Sequence, residues 1–101
     1  MTILYLVCAN ENEADRIAEA LLEQKLIACA KKFETKSIFR WQGKIKRAEE
    51  VVLLLETEGR LFDEIESEIA KIHSHKTFVL AEIPVGKTSK GVHEWLEDEL
   101  R

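Results

Sequence analysis

The chain has 101 residues, 46% of them hydrophobic and 34% charged, with one proline and four glycines. That composition suits one globular domain over 1–101 and excludes disordered, collagen-like and linker-rich architectures. Fifteen Lys and Arg against nineteen Asp and Glu leave a net charge of −4, which argues against nucleic acid as a general partner.

A chain of this size buries about 60 to 70% of its unfolded surface, enough for one core but too little for a deep enclosed site. A ligand site is therefore expected to be shallow or shared between subunits. The charge is unevenly spread. Segment 31–47 holds Lys31, Lys32, Lys36, Arg40, Lys44, Lys46 and Arg47 against the single acid Glu34, and the acidic excess lies in the second half. Such a segment reads either as a solvated strand face whose lysines discourage aggregation or as an anion site or contact with an oppositely charged subunit. Cys8 and Cys29 sit in apolar surroundings without CxxC spacing, so neither a disulfide framework nor a zinc knuckle is indicated, and a reducing cytoplasm is expected. The apolar start 1–9 has no basic lead and is too short for a signal sequence or a membrane span, so no membrane partner is expected.

Taken in chain order, 3–9 is a continuous apolar run rich in β-formers and predicts a strand buried on both faces. Asn10 with Glu13 three residues on resembles a capping box. Ala14, Ile17, Ala18, Leu21 and Leu22 then recur at helical spacing, which predicts a helix ending near Lys25. Over 27–41 one parity carries Ile27, Cys29, Phe33, Phe39 and Trp41, the pattern of a long strand with one apolar face. Gln42-Gly43 is a hairpin turn, and 44–57 returns as a second long strand whose Val51-Val52-Leu53-Leu54-Leu55 run marks it as central. Leu61, Phe62, Ile65, Ile69 and Ile72 predict a second helix over 60–72 closed by His73. A fourth strand is expected over 78–85, and then a short helix capped by Thr88 or Ser89 with Val92, Trp95 and Leu96 on its apolar side.

The order βαββαβ plus a terminal helix predicts an α+β, ferredoxin-like sandwich: a four-stranded antiparallel sheet, an extended β2–β3 hairpin and both main helices on one face. In that arrangement strand 3 separates strands 1 and 2, which keeps Cys8 from pairing with Cys29. Three of the strands are apolar at both parities, so the second face of the sheet needs a cover. An exposed patch of several hundred Å² is rare in a monomer. Either a second copy packs on it, or the terminal helix folds across it.

At this point the chain resembles the CutA divalent-cation-tolerance family. The resemblance spans essentially all 101 residues. It rests on Leu26-Ile27-Ala28-Cys29, the hairpin Ser37-Ile38-Phe39-Arg40-Trp41-Gln42-Gly43-Lys44-Ile45, segment 50–57, Ile72-His73, Ile83-Pro84-Val85 and Trp95-Leu96. It implies a small cytoplasmic homotrimer with intersubunit clefts, similar in architecture to the PII signalling proteins, and no catalytic reaction. One segment departs from the pattern. Where the family reads Pro-Tyr-Glu after the histidine, this chain has Ser74-His75-Lys76, so a carboxylate is replaced by a cation while His75 offers a new imidazole.

Cys29 matches the family's cysteine and can supply a thiolate to copper; on an apolar strand face it reads equally as a small buried hydrophobe. Cys8 reads as core. His73 and His75, two apart, form a His-x-His pair able to hold a metal, although His73 also suits the carbonyl end of a helix. Arg40, Trp41 and Lys44 can line an intersubunit cleft for an anionic ligand by charge and stacking, or pack between subunits. Gly86-Lys87-Thr88 fails as a phosphate loop because Ala81 stands where the first glycine belongs, and no catalytic triad, nucleophile elbow or HExxH occurs. The expectation is a non-catalytic trimer that requires no cofactor and binds Cu(II) or another divalent cation through Cys29, His73 and His75. The other two readings are a PII-like sensor of an anionic metabolite or nucleotide and a purely structural trimer.

Overall fold

In the computed structural model, which describes residues 1–101, strand β1 (Thr2–Cys8) alternates strictly: Thr2, Leu4, Leu6 and Cys8 are buried, and Ile3, Tyr5 and Val7 face the other way. Side chains of successive strand residues point to opposite faces, so this alternation defines a helix-covered face and an open face. Strands β2 (Cys29–Trp41), β3 (Lys44–Thr57) and β4 (Leu80–Pro84) complete one sheet in the order β2-β3-β1-β4. All pairings are antiparallel. Cys8 stands opposite Val51, Leu4 lies between Leu55 and Glu82, and Cys29 stands opposite Glu56. Helices α1 (Glu11–Glu23), α2 (Phe62–Ala70) and α3 (Val92–Glu99) follow in the expected positions. The fold is the ferredoxin-like βαββαβ sandwich with a terminal helix.

The core is formed by the buried positions of β1 and β3 with Ala14, Ile17 and Leu21 of α1 and Ile65 and Ile69 of α2. Several boundaries differ from the periodicity, each for a local reason. Strand β2 starts at Cys29 because Lys25 adopts φ 58° and turns the chain, after which Leu26 and Ile27 enter the core instead of the ladder. A turn of 3-10 helix (Gly59–Leu61) precedes α2, which ends at Ala70 while His73 N–H still donates to Ile69 O. Strand β4 begins at Leu80 because Phe78 stacks on the His73 ring, with centroids 5.0 Å apart. Neither Thr88 nor Ser89 caps α3 with its side chain; the cap position is Gly91 at φ 91°, left-handed backbone that glycine adopts without strain.

Helix α3 does not cross the open face. It buries Leu96 and Leu100 in the common core, Trp95 stays partly exposed, and Arg101 N–H donates to Lys25 O at the end of α1. The open face thus keeps Phe33 50%, Val79 57% and Ile83 48% exposed. The β2–β3 ladder runs without a break to Trp41 opposite Lys44, where Gln42 (φ 50°) and Gly43 (φ 76°) reverse the chain in two residues of positive φ. This ribbon projects past the helices and stretches the molecule to 46 × 27 × 21 Å.

Candidate metal centre at the end of strand β1

Three chain segments meet where β1 ends. Cys8 is the last residue of that strand, Glu13 lies in the first turn of α1, and His73 follows α2. Their potential ligand atoms all lie within 4.8 Å of one another. Glu13 is placed by the helix start. The Asn10 side chain accepts from Glu13 N–H at 2.8 Å, and the Glu13 carboxylate reaches back, as in a capping box, but to Ala9 N–H at 2.7 Å rather than to the cap residue itself. Asn10→Ala is expected to cost about 1 kcal/mol of stability, measurable by denaturant unfolding; an unchanged midpoint would show that the cap is replaceable by water.

The carboxylate also joins distant segments. Its second oxygen accepts from Ser74 N–H at 2.6 Å, and Glu13 Oε2 lies 3.7 Å from His73 Nε2. The histidine ring is fixed at both nitrogens. The His75 backbone N–H donates to Nδ1 at 3.0 Å, and Nε2 lies 2.8 Å from the Val7 carbonyl. A carbonyl only accepts and a backbone N–H only donates, so Nε2 carries the proton and Nδ1 the lone pair. The His73 ring thus takes over the Val7 carbonyl just beyond the point where Val7 N–H donates to Val79 O at 3.2 Å.

Burial pushes the Cys8 thiol up to about 12, with the Glu13 charge adding to the effect. For Glu13, burial opposes ionisation, but the hydrogen bonds from Ala9 and Ser74 and the nearby His73 outweigh it and hold the carboxyl below its ordinary value. The site therefore pairs a protonated thiol with an ionised carboxylate. Thiolate, imidazole and carboxylate together are a donor set that suits zinc and copper, and a metal would have to displace the thiol proton.

The structure places the sequence-predicted residues in three separate neighbourhoods. His73 belongs to this centre, and the exposed His75 ring stands near it, centroid to centroid 5.4 Å. Cys29 does not join them within one chain. Through Glu56 it is level with Ile3, on the open face and about 17 Å along the strands from the end of β1. There Lys31 Nζ lies 3.2 Å from Cys29 Sγ and 2.9 Å from Glu56 Oε1. Its hydrogen bond holds the Glu56 carboxyl below the ordinary range. Both cysteines are free thiols. Arg40, Trp41 and Lys44 lie at the exposed hairpin end, and strand alternation puts Arg40 on the opposite side of the ribbon from Trp41. An open groove of about 510 Å³ lies between the start of α1 and the ribbon, lined by Glu11, Glu34, Lys36, Glu49 and Glu50 among others.

Cys8 is a core residue and Glu13 a capping residue, as the sequence reads them; what sequence reasoning missed is that both also meet His73. The available signal was an apolar strand ending in Cys with a Glu five residues on, at the corner where the chain enters a helix; nothing in the sequence marks that His73 arrives there.

Residues 2–99 match the family model described as CutA1 divalent ion tolerance protein. The divalent-cation tolerance protein CutA of Archaeoglobus fulgidus is 36% identical over 95 residues, covering 94% of this chain and 93% of that protein. Its structure, described as that of a periplasmic divalent cation tolerance protein, superposes with a TM-score of 0.96 over the whole of both chains. CutA1 of Pyrococcus horikoshii, at 28% identity, gives a TM-score of 0.95 over all of this chain and 99% of that one. No helix is long and apolar enough to cross a membrane. Near-complete coverage by the family model and by relatives of the same length class makes the chain a member of the CutA1 divalent ion tolerance family.

Proposed function

We propose that this chain serves divalent-cation tolerance by binding a divalent transition-metal ion, Cu(II) included, without catalysing a reaction, and that it does so as a homotrimer in a reducing cytoplasm. The observation that carries the metal reading is the convergence of Cys8, Glu13 and His73 to within 4.8 Å. This is a thiol, a carboxylate and an imidazole on three different segments, with a second imidazole, His75, near by. The non-catalytic part is supported by the family's description as a tolerance protein. The assembly part is supported by the uncovered apolar face of the sheet, and the number three comes from the CutA resemblance. The two free thiols support the compartment. The anionic-ligand reading is less supported, because Arg40 lies on the opposite side of the ribbon from the cross-strand pair Trp41 and Lys44.

The test is titration calorimetry with Zn(II), and with Cu(II) under anaerobic conditions, on chains whose mass in solution is read by sedimentation. The expected result is a trimer whose ion affinity falls by about 100-fold or more in Cys8→Ala, exceeding the effect typical of an outer-shell change, and persists in Cys29→Ala. Loss in Cys29→Ala with retention in Cys8→Ala would move the site to the open face. A folded monomer at nanomolar concentration would end the assembly reading.

A further inference from the structure

His73 has no spare ring nitrogen. Its Nδ1 lone pair is taken by the His75 N–H and its Nε2 proton by the Val7 carbonyl. Glu13 accepts one bond at each oxygen, from Ala9 N–H and from Ser74 N–H, and each oxygen keeps a second lone pair, so the constraint lies at His73. An ion coordinated by His73 needs one ring lone pair, and either choice breaks a bond that now docks the chain. At Nδ1 the ion displaces the His75 N–H. At Nε2, the nitrogen nearer Glu13, the ring proton must move to Nδ1, which then no longer accepts from His75 N–H, and the ring leaves the Val7 carbonyl.

The segment that depends on these bonds is short, and of its side chains Phe78 packs against the core. Residues 74–79 belong to no helix or strand. Three hydrogen bonds fix their backbone: Ser74 N–H to Glu13, His75 N–H to His73, and Val7 N–H to the Val79 carbonyl. Two of the three end on the candidate metal ligands, and the packing of Phe78 also uses the His73 ring, 5.0 Å between centroids. Val79, where the segment joins β4, stands 57% exposed on the open face of the sheet.

We propose that ion binding at Cys8, Glu13 and His73 competes with the docking of segment 74–79 and releases it, so that occupancy of the centre becomes a change of backbone conformation reaching the rim of the open face. This rests on the metal reading above. The ion replaces the thiol proton, which passes to solvent, and takes a ring lone pair of His73, and the donor left behind, His75 N–H, turns to water. Because the two arrangements make competing demands on the His73 ring nitrogens, the coupling is reciprocal: whatever holds segment 74–79 down also weakens ion binding.

Hydrogen exchange read by mass spectrometry on the whole chain, with and without Zn(II), tests this. The expected result is about five- to tenfold faster exchange in peptides covering 74–79 with Zn(II) bound, the size expected for loss of one or two net hydrogen bonds. Exchange along the β1–β3 ladder should stay constant, and protection should return when a chelator removes the ion. Cys8→Ala should show neither Zn(II) heat nor the change; the chelator reversal on the unaltered chain keeps the test valid if that variant folds poorly. Zn(II) heat with unchanged or slower exchange in 74–79 overturns the release and leaves the metal site standing. Absence of Zn(II) heat overturns both.

Discussion

Leu55→Ala is expected to lower the unfolding free energy by about 2 to 5 kcal/mol, measured by urea denaturation at fixed chain concentration. Leu55 is fully buried in β3, between Leu4 of β1 and Ala30 of β2, and faces the helices. Truncation removes most of a side chain whose burial is worth about 1.5 to 3 kcal/mol, and the strands on both sides hold the cavity open. Ile45→Ala is the contrasting change. Ile45 is an aliphatic residue on the same strand, but it is 69% exposed on the projecting ribbon, so within one chain its loss should stay within about 0.5 kcal/mol. A loss below 1 kcal/mol at Leu55 would contradict the core described here. A loss as large at Ile45 would show that the ribbon is buried against another copy.

Glu13→Ala should cost about 2 to 4 kcal/mol, because it strips the acceptor from two backbone donors, Ala9 N–H and Ser74 N–H, on segments joined through this one carboxylate. Glu13→Gln, which keeps one acceptor oxygen, should lose about half as much. The effect carries a pH signature. The Glu13 carboxyl is held below its ordinary 4.5 in the folded chain, so its ionised form contributes stability that is fully present above pH 4.5 and is lost as the pH falls through the lower folded value. The gap in urea midpoint between the parent chain and Glu13→Ala should therefore be widest near neutrality and narrow on acidification below 4.5. A gap that widened toward acid would mean that the carboxylate is destabilising in the fold.

Most of the architecture was legible because backbone geometry ties side-chain direction to spacing. The strand at 3–9, the 3.6-residue recurrence in α1 and the turn at Gln42-Gly43 each follow from local rules and are found in the structure, although β1, expected to be buried on both faces, buries only one and leaves Ile3, Tyr5 and Val7 half-buried. Local rules were weaker at element ends. The start of β2 and of β4 and the cap of α3 were decided by Lys25 turning, by Phe78 stacking on a ring from another segment and by Gly91 taking a left-handed conformation. The alternative in which the terminal helix covers the open face fails for a similar reason: Leu96 and Leu100 find their partners in the common core.

The candidate centre was only partly legible. His73 and His75 stand out by spacing, and Cys29 by its neighbours, but the residue that meets His73 is Cys8, an unremarkable member of an apolar run.

What the sequence by itself determined was the order and type of the elements, the two-faced strands and the seven-to-one basic imbalance of 31–47, since each depends only on residues near one another along the chain. Only the tertiary structure decided which reactive side chains share a site. Ser74 and Glu13 are 61 positions apart, and they meet because the order β2-β3-β1-β4 brings the end of α2 and the start of α1 to the same end of β1. Such a meeting leaves no periodic trace, because the energy that specifies it comes from core packing elsewhere in the molecule.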